Sequence, residues 1–348
     1  MERIIRVKYK VLNKLKANMG LYVSGEALSE QLGVSRTAVW KYINELKSQG
    51  YIIESSSKKG YSLSEGPEVI SAYEIGHGLE TQVVGKDIKY FNELDSTNTY
   101  AKLIAAEGCA DGTAVIAEAQ TAGKGRLGRG WSSAHKKGIW MSIVLRPLIA
   151  PEEIQIMTLA ASIAVAKAIE QECHVRPGIK WPNDVLLESK KVCGILTEMN
   201  CEIERINFLV LGIGINVNHD MEDFPEALRE IAGSLKECCG GEVAEPKKEF
   251  SRKNIIRCIL AELDVIYRRL NTENEEAYAD EAKQIVDEWK KYSVTIGRRV
   301  KAAMKGQELV GVATDITRDG RLIIACEDGS IREVMSGEVS VRGLLGYS

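Results

Sequence analysis

A glycine-rich basic stretch at residues 120–131, Gln-Thr-Ala-Gly-Lys-Gly-Arg-Leu-Gly-Arg-Gly-Trp, constrains the fold of this chain most. Its four glycines weaken both helix and strand, so the stretch is predicted to be a loop. Apolar runs typical of strands precede it at 113–117 and follow it at 139–145. Because the loop leaves backbone N–H groups accessible and adds three cationic side chains, it suits the binding of phosphate.

The spacing of these glycines excludes two common nucleotide-binding loops. A Walker A loop continues from Gly-Lys into Ser or Thr and a helix, whereas Gly125 and Arg126 follow Lys124 here. A dinucleotide-binding turn needs another glycine spacing, and the inserted lysine and arginine would crowd it. A disordered surface loop is the alternative, which the flanking strand patterns and Trp131 disfavour.

Residues 67–285 mix strand-like and helical patterns, which predicts a mixed α/β domain. Further apolar strand runs occupy 192–199 and 208–217. Helical spacing of apolar residues extends through 158–169 and 255–270.

Residues 286–348 change to short strand patterns, which predicts a small β-barrel. The dipeptides Asp319-Gly320 and Asp328-Gly329 stand where tight hairpin turns are needed. The predicted strands are 294–296, 300–303, 309–316, 322–325, 331–334 and 339–341.

Residues 1–66 are predicted to form a winged helix-turn-helix that binds DNA. They contain 11 Lys/Arg against 6 Asp/Glu in a chain whose net charge is −3, which is typical of a polyanion-binding module. Ser35 is a suitable N-cap, Gly33 permits the left-handed turn before it, and a hairpin pattern follows Gly50. A three-helix protein-interaction module is the alternative, which the positive charge disfavours. The residues predicted to contact DNA are Ser35, Arg36, Thr37, Trp40 and Lys41 on the third helix, and Lys58 and Lys59 in the wing.

Three further motifs carry side chains suited to ligand binding. Lys180-Trp-Pro-Asn-Asp184 predicts an extended turn, and Lys191 then opens an apolar strand that ends at Glu198. A lysine entering a buried strand can aim its charge into a pocket. Gly212-Ile-Gly-Ile-Asn216 is an apolar strand whose glycines let a ligand approach the backbone. Asp95-Ser-Thr-Asn98 offers hydroxyls and an amide to a compact polar head group, or else caps a helix.

In this order and spacing, the four motifs resemble those of the biotin protein ligases, and the N-terminal winged helix resembles that of the bifunctional ligase/repressor members of this family. The resemblance covers nearly the whole chain. It implies an α+β multidomain fold with a winged helix-turn-helix domain (1–66), a mixed α/β ligase domain (67–285) and an SH3-like β-barrel (286–348). It also implies that biotin and ATP, with Mg²⁺, form biotinyl-5′-AMP. The biotinyl group then passes to a lysine of a biotin carboxyl carrier protein or domain.

The resemblance also implies roles for the motif residues. Lys191 and Arg126 would contact the activated carboxyl group and the α-phosphate, and Asp184 is the carboxylate for a proton or Mg²⁺ role. The metal ligands themselves stay unassigned. The biotin-binding residues would be Ser96, Thr97, Asn98, Gln120, Gly123, Lys124, Gly125, Arg126 and Lys191. The nucleotide-binding residues would be Arg129, Trp131 with its face on adenine, Asn183 and Asn216.

One position departs from the family pattern, because Lys124 stands where the loop commonly has arginine. Lysine keeps the charge but not the planar fork, so a bidentate contact by arginine cannot be carried over to this chain. The resemblance further implies that biotinyl-5′-AMP is a corepressor, which orders the loop and promotes a homodimer that reads an inverted repeat in operator DNA.

Two other functions are compatible with the motifs. One is a transcription factor that senses a ligand without transferring it, which the cationic loop and Lys191 disfavour. The other is a lipoate or octanoate ligase, whose apolar substrate tail would want an apolar pocket rather than Ser96, Thr97 and Gln120.

The composition predicts a cytoplasmic protein that does not enter a membrane. The longest uncharged stretches have 13 residues, short of the roughly 20 that span a bilayer. Charged residues follow Met1 at once, without the apolar region of a secretion signal. The eight cysteines and four histidines are scattered without a CxxC pair, so neither a disulfide framework nor a zinc site is expected.

Overall fold

The chain divides into two units, Met1–Glu74 and Ile75–Ser348. The predicted domain boundaries after residues 66 and 285 stay predictions. The computed structural model describes residues 2–66, 68–203, 205–239, 248–304, 307–335 and 338–341.

Three helices and a hairpin form the first unit, as the sequence predicts. They are α1 (Glu2–Lys16), α2 (Gly25–Leu32), α3 (Arg36–Ser48), β1 (Ile53–Ser56) and β2 (Gly60–Leu63), followed by the short helix α4 (Ala72–Gly76) at the division between the units. The side chain of Ser35 caps α3, and Gly33 ends α2 in the left-handed conformation with φ 63°. The strands β1 and β2 pair antiparallel, with Ser56 opposite Gly60. A buried core joins the elements through Val11, Leu12, Leu15, Leu28, Val39, Ile43 and Leu46.

A seven-stranded mixed sheet forms the centre of the second unit, which confirms the predicted mixed α/β fold. Its strands are β3 (Ile88–Phe91), β4 (Ala114–Ala117), β5 (Gly138–Leu145), β6 (Gly178–Lys180), β7 (Asp184–Leu187), β8 (Lys190–Cys201) and β9 (Ile206–Asn216). Their spatial order is β3-β4-β5-β9-β8-β7-β6, in which β3 and β4 are parallel and the other neighbours are antiparallel. The four predicted strand runs are correct to within a residue or two.

Helices cover both faces of this sheet. They are α5 (Thr97–Ala106), α6 (Gln155–Cys173), α7 (Leu235–Cys239), α8 (Arg252–Leu270) and α9 (Glu275–Tyr292). Thr197 of β8 shares a hydrogen bond of 2.7 Å with Thr158 of α6. In the next pair of the ladder, Leu196 lies opposite Gly212, and Gly212 contacts Asn98 of α5. Since successive strand residues face opposite sides, α5 and α6 lie on opposite faces, and α8 and α9 pack against the buried α6.

The C-terminal region forms a five-stranded antiparallel sheet. Its strands are β10 (Arg299–Met304), β11 (Gln307–Ile316), β12 (Leu322–Cys326), β13 (Ile331–Val334) and β14 (Glu338–Val341), in the order β13-β12-β11-β10-β14. Among the described residues of this region, the ladder ends at β13 and β14, so the structure shows a sheet where the sequence predicts a barrel.

The strand predicted at 294–296 is wrong. This segment binds the central sheet instead, because Val294 donates its N–H to the oxygen of Ile179, and Trp181 donates its N–H to Thr295 Oγ1 at 2.9 Å. Trp181 Nε1 also donates to the oxygen of Gly320 at 2.9 Å, which ties the C-terminal sheet to the central one.

None of the helices in the described ranges combines the length and the apolar character that a bilayer crossing requires.

Candidate active site

The glycine-rich loop folds as a narrow hairpin between β4 and β5. Lys124 and Gly130 form an antiparallel bridge, and Trp131 donates its N–H to the oxygen of Gly123 at 2.8 Å. A Cβ on Gly123 would overlap the backbone oxygen of Trp131, so glycine is required there. Leu127 has φ 55° and an exposed side chain at the tip of the loop. The loop that the sequence predicts is confirmed, and its own backbone hydrogen bonds hold it.

A buried polar wall lies where α5 begins beside the sheet. Thr97 donates its N–H to Gln120 Oε1 at 2.8 Å, which joins the start of the helix to the loop. Ser142 of β5 lies between these elements, with its hydroxyl 2.7 Å from Thr97 Oγ1 and 2.6 Å from Asn98 Oδ1. Ser96 is the N-cap of α5, so the Asp95–Asn98 motif is a helix cap as well as part of this wall. These hydroxyl and amide groups suit a compact polar head group.

Glu198 anchors the polar wall from β8. Its carboxylate accepts hydrogen bonds from Asn98 Nδ2 and Lys102 Nζ, both at 2.8 Å. Burial by itself would raise the pKa of Glu198, but the hydrogen bonds from Lys102 and Asn98 and the charge of Lys124 outweigh it and lower the pKa. The ionised carboxylate therefore fixes the amide of Asn98 so that its oxygen faces Ser142.

Two glycines beside this wall leave room for an aromatic side chain on one face of the sheet. Gly194 of β8 and Gly214 of β9 lie opposite each other. A Cβ on Gly194 would lie 2.7 Å from the indole of Trp131, and a Cβ on Gly214 would lie 2.8 Å from it. The indole therefore rests on the two glycines, and Lys191 Nζ lies 5.3 Å from its centroid. Gly194 and Gly214 thus admit the flat indole of Trp131 against the backbone, and the predicted approach of a ligand to the glycines of β9 stays a prediction.

Charged and amide side chains converge at the turn between β6 and β7. Lys191 Nζ lies 2.6 Å from Asp184 Oδ1. Arg126 of the loop donates to Asn183 Oδ1 at 2.8 Å, and Asn183 Nδ2 donates to the oxygen of Ile195 at 2.9 Å. The structure therefore brings the three side chains predicted to be catalytic close to one of those predicted to bind nucleotide.

The remaining predicted site residues lie at the end of β9 and on the loop. Asn216 donates its Nδ2 hydrogen to the oxygen of Gly233 at 3.0 Å, which orients its amide. Lys124 and Arg129 are exposed on the loop, so their contacts with biotin and nucleotide stay predictions. Among the described residues, no group of three or more His, Cys, Asp or Glu side chains could hold a metal ion.

Three residues of the polar wall, Ser142, Lys102 and Glu198, are absent from the predicted site residues. Ser142 lies inside the apolar run 139–145, and a serine in a buried strand is a signal because its hydroxyl needs a partner. Lys102 gives no such signal, since lysine on a half-exposed helix face is common.

The residues predicted to contact DNA lie on the first unit. Ser35 uses its hydroxyl as a cap, accepting a hydrogen bond from the N–H of Ala38 at 3.2 Å. Arg36 is paired with Glu26 of α2 at 2.6 Å, and both side chains are exposed. An exposed ion pair of this kind is weak, and the contact of Arg36 with DNA stays a prediction. The other exposed residues of the predicted set are Thr37, Trp40 and Lys41 on α3 and Lys58 and Lys59 in the β1–β2 turn.

Three family models match the chain. The biotin/lipoate A/B protein ligase family matches residues 90–216, an HTH domain matches 7–62, and the biotin protein ligase C-terminal domain matches 295–342. Each match falls on a region that the structure shows separately: the mixed sheet, the helix-turn-helix and the C-terminal sheet.

Two curated relatives match nearly the whole chain. The bifunctional ligase/repressor BirA of Bacillus subtilis (strain 168) is 37% identical over 320 residues, which cover 92% of this chain and 94% of that protein. The protein of the same name from Escherichia coli (strain K12) is 29% identical over 323 residues, covering 93% and 94%. The solved structure of biotin protein ligase from Aquifex aeolicus in complex with biotin and ATP has a TM-score of 0.59 and 29% identity, and covers 74% of this chain and 99% of that one. The chain therefore belongs to the BirA-type biotin protein ligase family, in the branch that carries an N-terminal helix-turn-helix domain.

Proposed function

We propose that the protein is a biotin protein ligase that also represses transcription. In the first step, a carboxylate oxygen of biotin attacks the α-phosphorus of ATP, the bond from that phosphorus to the bridging oxygen breaks, and pyrophosphate leaves. In the second step, the lysine amine of a biotin carboxyl carrier protein attacks the acyl carbon of biotinyl-5′-AMP. AMP leaves with the bonding electrons, and the amine loses a proton. The enzyme forms no covalent intermediate.

The convergence of Lys191, Asp184, Arg126 and Asn183 beside the two glycines that Trp131 covers carries this proposal. Two anions must approach each other in the first step, so fixed positive charge at the reacting atoms lowers the barrier. Lys191 and Arg126 supply that charge at the carboxylate and the α-phosphate. Their partners, Asp184 and Asn183, hold them at the turn between β6 and β7.

The polar wall is proposed to bind the bicyclic head group of biotin. A ureido group both donates and accepts hydrogen bonds, and the hydroxyls and amides of the wall match that pattern. The residues assigned to biotin are Ser96, Thr97, Asn98, Gln120 and the loop residues Gly123, Lys124, Gly125 and Arg126, together with Lys191. The residues assigned to the nucleotide are Arg129, Trp131, Asn183 and Asn216.

Mg²⁺ is proposed to enter with ATP. In nucleotide sites this ion keeps several waters and is bound through one or two carboxylates and the substrate phosphates. The carboxylate of Asp184 fits that donor chemistry and lies beside the proposed phosphate-binding lysine. When bound, the ion neutralises phosphate charge.

The test of the ligase is adenylate formation. Purified protein incubated with biotin, Mg²⁺ and ATP labelled at the α-phosphate is expected to retain a labelled adenylate, which is discharged when a biotin-acceptor domain is added. Octanoate or lipoate in place of biotin tests the lipoate-ligase alternative. Adenylate from those acids alone would contradict the proposal, and biotin binding without any adenylate would indicate a sensor.

Operator DNA is expected to bind at least about tenfold more tightly when biotin and ATP are both present. Biotinyl-5′-AMP is proposed to promote a homodimer, and a dimer doubles the small contact surface of one winged helix. The measurement is operator affinity with both substrates, with each substrate alone and with neither. Arg36→Ala should weaken DNA binding and leave adenylate formation unchanged. Equal DNA affinity in all four conditions would contradict the coupling.

The proposal also covers the C-terminal fold, the domain boundaries and the location of the protein in the cell. The five-stranded C-terminal sheet is proposed to be an SH3-like barrel, and the domain boundaries to lie after residues 66 and 285. The protein is proposed to act in the cytoplasm, where the carrier protein, operator DNA and ATP are available together.

A further inference from the structure

The segment 217–236, which follows β9, is tied to the sheet at both ends. Near its start, Asn218 donates its N–H to the oxygen of Lys137 at 2.7 Å. Near its end, Gly233 donates its N–H to the oxygen of Lys191 at 3.0 Å, and Lys191 donates its own N–H to the oxygen of Ile231 at 2.8 Å. The segment therefore forms a loop whose two ends are both hydrogen-bonded to the central sheet or to the residue that precedes it.

An ion-pair network holds the middle of this segment. Lys137, the residue before β5, places Nζ 2.8 Å from Asp220 and 3.1 Å from Asp223. Lys236 lies 2.6 Å from the other oxygen of Asp220. The hydrogen bonds from Lys137 and Lys236 lower the pKa of Asp220 to about 2, so the network is charged at neutral pH. Lys137 thus links both aspartates of the segment to the start of β5.

The same segment holds two residues of the proposed active site. The oxygen of Gly233 accepts the Nδ2 hydrogen of Asn216, and the backbone of Lys191 is bonded to Ile231 and Gly233. A displacement of the segment therefore changes the amide of Asn216 and the strand position that carries the Lys191 side chain.

We propose that Lys137 is a positioning residue for the nucleotide half of the site, an inference that rests on the proposed ligase function. Lys137 acts through Asp220 and Asp223 on the segment 217–236, and the segment in turn orients Asn216 and Lys191. The polar wall for the biotin head group lies on α5, β5 and β8 and has no bond to this network among the described residues. Asn216 is assigned to the nucleotide alone, and the head group of biotin is assigned mainly to the polar wall. Loss of Lys137 is therefore expected to raise the KM for ATP and to leave the KM for biotin unchanged.

Steady-state kinetics of Lys137→Met test this proposal. The KM for ATP is expected to rise about fivefold, with the KM for biotin and the melting temperature unchanged. Lys137→Arg keeps the charge and the reach to both aspartates, so it is expected to restore the wild-type KM. Lys167→Met is the matched control, because it removes an ion pair of similar exposure, to Glu262, between α6 and α8. The control is expected to leave the KM for ATP unchanged.

Hydrogen exchange gives a second readout that does not depend on activity. In the nucleotide-free protein, the amides of Asn218 and Gly233 are expected to exchange faster in Lys137→Met than in wild type. Unchanged kinetics and exchange in an active enzyme would overturn the role of Lys137, and so would an equal rise in both KM values with a lower melting temperature. A wild-type protein that forms no adenylate would instead overturn the ligase function, and this inference with it.

Discussion

Replacing Lys191 by alanine is expected to slow adenylate formation by at least about 100-fold, with the KM for biotin nearly unchanged. The ammonium group lies beside Asp184 and the indole of Trp131, where the proposed reaction brings a carboxylate and a phosphate together. The substitution removes the fixed positive charge that stabilises the negative charge of the transition state. The hydrogen bonds proposed between the polar wall and the head group of biotin are unchanged. Biotin-dependent pyrophosphate release under steady-state conditions measures both quantities.

Lys89→Ala is the control for this substitution. Lys89 also pairs with an aspartate, Asp87, at 3.1 Å, but at β3 on the edge of the sheet. It is expected to keep wild-type rates. A raised KM for biotin with an unchanged kcat in Lys191→Ala would contradict the proposed role, because it would mean that the lysine contributes equally to the ground state and to the transition state.

Gly212→Ala is expected to damage the biotin pocket and the stability of the protein together. The added Cβ would overlap Asn98 Oδ1. Asn98 cannot withdraw, since its amide donates to Glu198 and its oxygen lies 2.6 Å from Ser142 Oγ. Overpacking of a buried site costs about 1–3 kcal/mol of unfolding free energy. Biotin affinity is expected to fall at least about tenfold, the equivalent of about 1.4 kcal/mol.

Thermal unfolding and biotin titration check this expectation. Gly76→Ala is the matched control, because a Cβ there would make only an ordinary contact of 3.7 Å with Ile88. It is expected to melt and bind like wild type. If Gly212→Ala also behaved like wild type, the close packing of Asn98 on β9 would be contradicted.

The helix-turn-helix could be predicted from the sequence because its signals are local. The cap at Ser35 and the left-handed turn at Gly33 act within a few residues, and both are confirmed. The central strands were predictable for a similar reason, since a continuous apolar run is typical of a strand buried on both faces. The glycine-rich loop could be predicted because its four glycines disfavour both a helix and a strand.

Several residues of the polar wall were predicted, but the contacts that assemble the wall could not be, because they join distant parts of the chain. Asn98 meets Ser142 across 44 residues and Glu198 across 100, and no local pattern records such a meeting. The strand prediction for 294–296 was wrong because a local signal was present but misleading. The β-branched residues of this segment have the local preference of a strand, but contacts with Ile179 and Trp181 determine its structure.

The register of β9 has a consequence for which acids the proposed enzyme can activate. Gly212 and Gly214 lie on the same face, about 7 Å apart along the strand, because each residue advances about 3.3 Å. The polar wall stands at Gly212, whereas Lys191 approaches the sheet at the level of Gly214 through its partner Gly194. The strand therefore fixes the distance between the site of the head group and the lysine that contacts the carboxylate. An acid with the same head group and a shorter chain would occupy the pocket without reaching the lysine, and would act as an inhibitor instead of a substrate.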